Sequence, residues 1–429
     1  MLTTSNMLRF SKITSLTIGL ILAGCSAIPP TSSEKKPTLQ STLPPKSIDI
    51  NDQGIKQVAE ANNQFAIDMF QQLYKEDSKI NDNVFYSPYS LSTAMAMIYD
   101  AAAGQTQAQI RQTFHYPELS VLHNSSAQLH QHFNQPNKPY RLMTNNGLWL
   151  QQDLQPNTNT HAPVERLEEI YREALRTPDV IQPEASRNLI NQKIANQTDG
   201  MVKELLPNDS IESDTVSVLT NAVYFKSEWT SPFRLEYQPE TFYTFDQKNP
   251  KLTMMSGNRV INYFENDTVQ MAEIPYKGDD LSMLVILPKD KTAQGLKRLV
   301  NDLSTTRING WLANTSVEET AIKLPKFKLE KSYKMKDALS QMGMPIAFSN
   351  AADFNIFNNA AKLSIDGIFH KAVIQVDEKG TVAAAATGMD VVLVMDSHTA
   401  ELIANHPFVF IIRDKKTNTF LFIGQVSQP

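Results

Sequence analysis

The amino-acid sequence predicts one folded body of mixed α+β class behind a leader that does not fold. Apolar residues recur at helical spacing in the first part of the chain, whereas strand-forming runs dominate the second part. The 429 residues suffice for one large core, and no internal repeat of about 20 to 50 residues indicates a solenoid or a propeller. We therefore expect a single body over residues 55–429.

Helical patterns come first along this body. Its opening apolar positions are three or four residues apart and predict an amphipathic helix: Val58, Ala61, Phe65, Met69 and Leu73. The pair Ser87-Pro88 is a helix-start signal, and the apolar segment behind it ends before Gly104. The segment SRNLINQKIANQTDG ends at Gly200 and predicts a helix that stops at a glycine.

Strand patterns follow in the second part. The segment TVSVLTNAVYFKSEW is apolar on both faces in its middle, which predicts a central buried strand. The runs VQMAEIPY and LSMLVILP are expected to pair across the turn KGDD. The segment AIKLPKFKLEKSY predicts a further pair of strands, and PFVFIIRDKKTNTFLFIGQV predicts two apolar strands joined by a polar turn.

Composition excludes several classes of function. The formal net charge is −5, and no cluster of basic residues is interleaved with aromatic ones, so we expect no nucleic-acid partner. Glycine is scarce at 15 residues, which disfavours the glycine-rich loops that hold nucleotides. The sequence thus predicts a protein that binds neither nucleic acid nor a nucleotide cofactor.

The N-terminal segment has the features of an export signal. Arg9 and Lys12 precede the apolar run ITSLTIGLILAG, which is too short for a membrane-spanning helix. The run ends in LAGC, which resembles a bacterial lipobox, so we expect residues 1–24 to be removed and Cys25 to be acylated. In the sorting pattern of Gram-negative bacteria, Ser26 in place of aspartate favours the outer membrane. We therefore expect a lipoprotein anchored there, facing the periplasm or the cell surface.

Residues 25–54 comprise the lipidated cysteine and a segment rich in Pro, Ser, Thr and Lys with few large apolar groups. Such a composition cannot bury enough surface to fold, which predicts a flexible tether. As a flexible chain, this tether holds the body on the order of 30 Å from the lipid.

Motifs for enzymatic chemistry are sparse. His123, His130 and His132 are the nearest approach to a metal-binding cluster, but they lie in a polar stretch and are expected to be solvated surface residues, so we predict no metal site. The sequence contains no HExxH motif, no phosphate-binding loop and no GxSxG elbow. A Ser-His-Asp triad needs no closeness in sequence, so a hydrolase with an unrecognised triad stays an alternative.

Four segments together resemble the serpins, a family of serine protease inhibitors. They are NVFYSPYSLSTAMAMIYDAAAGQTQAQI, SVLTNAVYFKSEWTSPF, LSIDGIFHKAVIQVDEKGTVAAAATG and HPFVFIIRDKKTNTFLFIGQV, in the order and spacing of that family. The resemblance implies three β-sheets, about nine helices and an exposed reactive loop at about residues 378–400. It also implies a monomer without a cofactor that traps serine proteases as a covalent acyl-enzyme, after which the cut loop inserts into the central sheet.

The loop sequence DEKGTVAAAATGMDVVLVMDS fits a strand that can insert. Gly380 and Gly388 leave only seven residues between them, too few for a stable isolated helix, and VVLVM favours an extended chain. Residues two apart share a face of a strand, and the phase that starts at Thr381 carries no charge as far as Leu393. Asp390 falls on the other phase, so insertion in this phase buries no carboxylate in the core.

The hinge positions of the family match the start of this loop. Glu378 and Gly380 match the turn from which the loop swings, and small residues suit a segment that must enter between two packed strands. The following positions carry this pattern: Thr381, Val382, Ala383, Ala384, Ala385 and Ala386. Val382 departs from the family, which often carries a glutamate there, but it lies on the outward phase.

In the serpin family, the residue before the cut bond usually lies sixteen residues beyond the position that Glu378 matches. That offset gives the Val394–Met395 bond, with Leu393–Val394 and Met395–Asp396 as alternatives. Each choice places an apolar residue before the cut, which suits elastase-, chymotrypsin- or subtilisin-like proteases and excludes trypsin-like ones.

Five further positions match the family residue by residue. Ser87, Ser90, Asn221 and His370 match the polar cluster beneath the central sheet, here called the shutter cluster. Trp229 matches the tryptophan at the breach, where insertion begins. The sequence thus predicts an outer-membrane serpin that inhibits serine proteases. The alternative within the family is a non-inhibitory binding protein or chaperone.

Overall fold

The computed structural model describes residues 49–76, 81–150, 175–176, 183–354, 364–381 and 400–429, with the backbone alone at 76, 150 and 175–176. The chain divides into two units, Met1–Ser47 and Ile48–Pro429, and the second contains all of these residues. None of the helices in these ranges is both long and apolar enough to cross a membrane.

The described ranges hold eight α-helices and one short 3₁₀ turn, Pro345–Phe348. The helices are α1 (Gln53–Glu76), α2 (Pro88–Ala101), α3 (Gly104–Thr113), α4 (Leu119–Phe133), α5 (Pro183–Gln197), α6 (Ala293–Asp302), α7 (Thr305–Ala313) and α8 (Lys336–Gln341). The predicted stripe of α1 lies in the core, where Phe65 stacks on Phe114 with ring centroids 4.2 Å apart. Ser87 caps α2, as its Oγ accepts a hydrogen bond from the Ser90 amide at 3.2 Å.

Three sheets are present among the described residues, in agreement with the predicted fold class. The largest has nine strands in the order β1-β17-β16-β10-β9-β8-β11-β15, with β5 paired to β8. Its members are β1 (Val84–Tyr86), β5 (Arg234–Leu235), β8 (Met254–Glu265), β9 (Val269–Pro275), β10 (Leu281–Pro288), β11 (Ser316–Pro325), β15 (Ala400–Ile403), β16 (Phe408–Asp414) and β17 (Phe420–Val426). Strands β6 (Glu240–Thr241) and β7 (Lys251–Leu252) form a two-stranded sheet.

The six-stranded sheet carries the candidate site, and its strand order is β12-β13-β14-β4-β2-β3. Its members are β2 (Tyr140–Leu150), β3 (Leu175–Arg176), β4 (Ser217–Glu228), β12 (Phe327–Lys334), β13 (Gly367–Asp377) and β14 (Gly380–Thr381). Strand β4 is central and almost wholly buried, as its apolar pattern predicts.

The predicted hairpins are confirmed for β9 with β10 and for β16 with β17. The prediction that AIKLPKFKLEKSY forms a strand pair is wrong in its pairing. Strand β11 pairs with β8 and β15, whereas β12 pairs with β13 in the other large sheet. Only Lys326 separates β11 from β12, and one residue is too short for a hairpin turn, so the chain crosses from sheet to sheet instead.

Two hydrophobic clusters cover opposite faces of the six-stranded sheet. Alternate β4 residues such as Val223 and Phe225 belong to the main core, and their neighbours such as Ala222 belong to a smaller cluster. Helix α5 contributes Ile190 and Ile194 to that smaller cluster. Both faces of β4 and β13 are therefore buried, and a strand added between them has a core face and a face toward the smaller cluster.

Candidate functional site

The candidate site is the boundary between β4 and β13. These strands pair in parallel from Gly367 opposite Val218 to Val373 opposite Tyr224. Beyond that point they separate, and β14 lies between them, antiparallel to both. The two residues of the predicted hinge, Gly380 and Thr381, thus already form a short strand in the sheet.

Thr381 is held on the core face of this sheet. Its side chain is fully buried, and its hydroxyl hydrogen-bonds the Tyr276 hydroxyl at 2.8 Å. The Tyr276 ring packs edge-on against Phe225 of β4, with centroids 5.3 Å apart. Burial raises the pKa of Tyr276, so this hydroxyl stays protonated and available for the bond.

Trp229, the predicted breach residue, binds the turn between β13 and β14. Its indole Nε1 donates to the Asp377 carbonyl oxygen at 3.0 Å, and its amide donates to the Lys379 carbonyl at 2.9 Å. The indole is 2% exposed and stacks on Tyr276, with ring centroids 4.5 Å apart. The two aromatic rings therefore form a wall against which the hinge lies.

Backbone and charge contacts complete the hinge. Asp377 Oδ1 accepts from the amides of Lys379 at 2.9 Å and Gly380 at 3.2 Å, which closes a tight turn. Glu378 forms an ion pair with Lys326 at 2.8 Å. Partial burial acts to raise the pKa of Glu378, but the hydrogen bond and charge of Lys326 outweigh it and lower that pKa.

Gly380 allows the chain to pass close to β4. A Cβ at this position would lie 2.2 Å from the Ser227 carbonyl oxygen and 2.6 Å from the Glu228 Cα, with φ at +156°. Both neighbours are backbone atoms, so a larger residue would force β14 and β4 apart.

The shutter cluster lies farther along the same boundary, away from β14 at what is called here its lower end. All four predicted residues come together there and are fully buried. Asn221 Nδ2 donates to the Ser90 carbonyl at 3.0 Å and to Ser90 Oγ at 2.6 Å. Its Oδ1 hydrogen-bonds His370 Nδ1. His370 Nε2 accepts from the Ser87 amide at 3.3 Å, and Ser87 Oγ donates to the Leu421 carbonyl at 2.7 Å.

The bonding pattern defines the state of His370. Because Nε2 accepts from an amide, Nδ1 carries the proton and donates to Asn221 Oδ1. Burial lowers the pKa of His370 from 6.5 to about 3, which keeps the ring neutral at physiological pH. His370 and Asn221 are register partners on β13 and β4, so their bond ties the two strands together.

Two residues at this site escaped the sequence analysis. Asn146 on β2 lies in register with Asn221 and hydrogen-bonds its Nδ2. Its signal was present, since TNNG interrupts a strand-like run with polar residues. Tyr276 gave no such signal, because its role depends on the contact with Thr381, 105 residues further along the chain.

The expectation of solvated histidines is confirmed for His130, which is exposed on α4, and wrong for the other two. The His123 side chain is only 15% exposed, with its Nε2 3.6 Å from Asp100 Oδ2. His132 is buried, with its Nε2 3.1 Å from Asp414 Oδ2. It sits in the apolar stripe of the amphipathic helix, because residues such as Leu129 and Phe133 on the same face are buried too. Within the described ranges, no three His, Cys, Asp or Glu residues are grouped closely enough to hold a metal ion.

Several predicted positions lie outside the described residues: Cys25, Val382, Ala383, Ala384, Ala385, Ala386, Leu393, Val394, Met395 and Asp396. The hinge residues Glu378, Gly380 and Thr381, the shutter cluster and Trp229 lie within them.

Comparison with known proteins identifies the family. The family model described as serpin (serine protease inhibitor) matches residues 60–429, so the chain belongs to the serpin family. It is 33% identical over 385 residues to the leukocyte elastase inhibitor of Bos taurus, covering 87% of this chain and all of that protein. It is 34% identical over 395 residues to human serpin B4, covering 87% of this chain and 99% of that protein.

Solved structures support the same fold. The structure of uncleaved ovalbumin matches with a TM-score of 0.78 at 25% identity, covering 87% of this chain and all of ovalbumin. Human thyroxine-binding globulin matches with a TM-score of 0.78 at 23% identity, covering 88% of this chain and 99% of that one. The predicted serpin fold is therefore confirmed.

Proposed function

We propose that this protein is a single-use inhibitor of serine endopeptidases that prefer an apolar residue before the cut bond. The protease serine Oγ attacks the Val394 carbonyl, and the Val394–Met395 amide bond breaks. The proton of the serine hydroxyl passes to the leaving nitrogen, so Met395 departs with a free amino group. Val394 remains esterified to the protease serine. The freed loop then inserts between β4 and β13 and carries the attached protease with it.

The observation that carries this proposal is the position of β14. Its two residues pair with β13 on one side and β4 on the other, which is the place that an inserting loop must occupy. Below it, β13 and β4 pair directly, so insertion must replace that ladder. A new strand there recovers backbone hydrogen bonds on both sides, whereas the direct ladder provides them on one.

We extend the register of β14 to propose where each inserted residue would pair. Gly380 lies opposite Glu228 and Thr381 opposite Ser227, so each further loop residue pairs one position earlier on β4. Continued in this way, Thr387 would lie opposite both Asn221 and His370. The inserted threonine hydroxyl would then stand between the two shutter groups that hydrogen-bond each other in the intact chain.

The same register assigns the faces. Thr381 lies on the core face beside Tyr276, so Ala383, Ala385 and Thr387 would follow it there. Asp390 falls on the opposite phase and, in this register, lies opposite Val218, so it would face the smaller buried cluster and not the main core. The expectation that insertion buries no carboxylate therefore applies to the main core alone. Fourteen steps from Gly380 to Val394 at about 3.3 Å each correspond to about 46 Å of travel, roughly the width of the body.

Apolar specificity rests on the residues before the candidate cuts. Leu393, Val394 and Met395 each present a medium-sized apolar side chain to the primary pocket of the protease. The name of the bovine relative, leukocyte elastase inhibitor, is consistent with this class of target. Elastase-, chymotrypsin- and subtilisin-like proteases are the targets we propose.

We also propose that acylated Cys25 anchors the protein in the bacterial outer membrane. This rests on the charged and apolar leader, on the LAGC sequence and on Ser26. Labelling with a radioactive fatty acid, lost in Cys25→Ala, tests the anchor, and membrane fractionation tests its location.

The deciding experiment is incubation of the folded body with leukocyte elastase and with chymotrypsin. A covalent complex that survives SDS supports inhibition, and mass spectrometry of the released C-terminal peptide identifies the cut bond. Clean cleavage without any complex would instead favour a non-inhibitory binding protein or chaperone. Insertion further predicts that the cut protein melts at a markedly higher temperature, whereas an unchanged melting temperature would contradict insertion.

A further inference from the structure

Two strongly exposed apolar side chains lie side by side on one sheet of the described structure. Among the residues it describes, six large apolar side chains are strongly exposed: Leu189, Leu235, Tyr237, Tyr243, Val260 and Val317. Single exposures are normal, but Val260 and Val317 lie on the paired strands β8 and β11 and together mark a candidate contact surface.

Val260 and Val317 are the apolar centre of this surface. They are 71% and 70% exposed, on the neighbouring strands β8 and β11. Val260 is the register partner of Glu319, and Val317 is two positions from Glu319 on the same strand face. The two valines are thus diagonal neighbours on the outer face of the sheet, within reach of one partner side chain.

Two carboxylates flank the valines on that face. Glu319 pairs in register with Val260, and Glu401 of β15 pairs with Ala321, two positions further along β11. Neither carboxylate has an ion-pair partner among the described side chains. The nearest cation of this face is Lys323, two positions beyond Ala321 on β11, which is bound to Glu240 at 2.6 Å. The hydrogen bond to Glu240 and, to a smaller extent, the charge of Glu401 raise the pKa of Lys323. Arg234 lies on β5, opposite Ser256.

This surface adjoins the point where the reactive loop rejoins the sheet. Strand β15 runs parallel to β11 and begins with Ala400 opposite Thr320. The chain therefore enters the sheet from the end of β11 that carries Val317, which is three residues, or about 10 Å, from Thr320.

The candidate cut bond is tethered closely to this point. Four residues lie between Met395 and Ala400, and the five steps from one to the other span at most about 17 Å. A protease of roughly 240 residues has a radius of gyration of about 18 Å. A protease seated on the Val394–Met395 bond is therefore large enough to reach the outer face of β8 and β11.

We propose that the outer face of β8, β11 and β15, centred on Val260 and Val317 and flanked by Glu319 and Glu401, is a docking surface for the attacking protease. It fits a serine protease that carries an apolar patch and basic side chains beside its active-site cleft. The inference rests on the proposed function only in that a protease attacks the loop. It adds a second determinant of target choice, separate from the residues beside the cut bond.

The test measures the second-order rate of loop attack by leukocyte elastase, counting complex and cleaved protein together. The double variant Val260→Lys, Val317→Lys should lower this rate about tenfold, since two ammonium groups replace the apolar centre. Leu189→Lys is the matched control, since it places a lysine at an exposed apolar position on α5, and it should leave the rate unchanged. Equal rates for the double variant and the native protein would overturn the proposal.

The salt dependence of the attack rate tests the role of the two carboxylates separately. For the native protein the attack rate should fall as salt rises from about 0.05 to 0.5 M, because screening weakens the attraction of basic groups to Glu319 and Glu401. The variant Glu319→Gln, Glu401→Gln should flatten that dependence, and a native rate without salt dependence would contradict the charged flank.

The same samples separate this inference from the inhibitory function. Docking determines how fast the loop is attacked, whereas insertion determines how attacked molecules divide between covalent complex and cleaved product. A native protein that is only cleaved refutes inhibition and still gives the attack rate. Variants attacked at the native rate refute the docking surface even when every attack yields a complex.

Discussion

The two ends of the boundary between β4 and β13 differ in how they are held. At the upper end, β14 separates the strands and is fixed by backbone hydrogen bonds and by the stacked pair Trp229 and Tyr276. At the lower end, the strands pair directly and a buried polar cluster around Asn221 joins them to α2 and β2.

This difference teaches where the sheet can open. The upper contacts bind any small extended segment, since they engage backbone groups and one hydroxyl. The lower contacts are specific side-chain hydrogen bonds in a buried setting, where a lost partner costs about 1–3 kcal/mol. An inserting strand would therefore continue an opening that already exists, but it must replace the backbone ladder of β4 and β13 and, at the shutter cluster, buried side-chain hydrogen bonds as well.

The largest effect is expected from Thr381→Arg, which breaks the upper end. The Thr381 side chain is fully buried against Tyr276, and a guanidinium there must either lose its water or leave the sheet. The fraction of attacked molecules trapped as covalent complex should fall at least about tenfold, as measured by SDS gel electrophoresis. Asn124→Arg, at an exposed position on α4, is the control and should behave as the native protein.

Asn221→Ala breaks the lower end. It leaves the proton of His370 Nδ1 and the buried Ser90 carbonyl without their partner in the core. We expect the free energy of unfolding, measured in urea, to fall by about 2–4 kcal/mol. Asn314→Ala removes an exposed side chain bonded to the Gly310 carbonyl and should change stability by less than about 1 kcal/mol. If Asn221→Ala lowered the free energy of unfolding no more than Asn314→Ala does, the shutter cluster would not hold the two strands together.

The state of His370 is testable by pH. Burial lowers the pKa of His370 from 6.5 to about 3, so between these values the unfolded chain binds a proton that the folded chain does not. The free energy of unfolding should therefore fall as the pH is lowered from 6.5 to 4.5, by at most about 1.4 kcal/mol per pH unit for this group. His370→Gln should reduce that slope, while His406, whose pKa burial lowers to about 4, retains part of it.

A slope in the His370→Gln variant equal to that of the native protein would show that His370 does not stay neutral on folding.

The smallest effect is expected at the ion pair of the hinge. Glu378 and Lys326 are 23% and 40% exposed, so solvent screens their attraction. Glu378→Gln should change the free energy of unfolding by less than about 1 kcal/mol and leave the fraction of covalent complex nearly native. A loss of complex as large as that of Thr381→Arg would show that charge, and not burial, fixes the hinge.

One part of the site was predictable from a local signal, and the rest from the resemblance to the serpins. Ser87 stands before Pro88 at the start of an apolar helix, and the helix cap follows from that pattern. The resemblance implied that Gly380 and Thr381 form a hinge, but it did not give their pairing within the sheet, which depends on how far β4 and β13 separate.

The missed features differ in range. Pairing of β11 with β8 and β15, rather than with β12, depends on strands more than fifty residues away in sequence, and the spacing of neighbouring residues does not show it. The burial of His132 has a local signal, because Leu129, His132 and Phe133 lie on one face of α4. Its contact with Asp414, which is 282 residues further along the chain, has none.

The short strand β14 also has a kinetic consequence. Starting a new strand inside a sheet normally requires a search for register and the loss of chain entropy before any contact compensates. Here Gly380 and Thr381 have set the register before the loop is cut. Under the proposed function, insertion is then propagation from an existing nucleus, and it competes with hydrolysis of the ester that joins Val394 to the protease. The proposal therefore makes the separation of β4 from β13, and not the search for a pairing partner, the step that limits the rate of insertion.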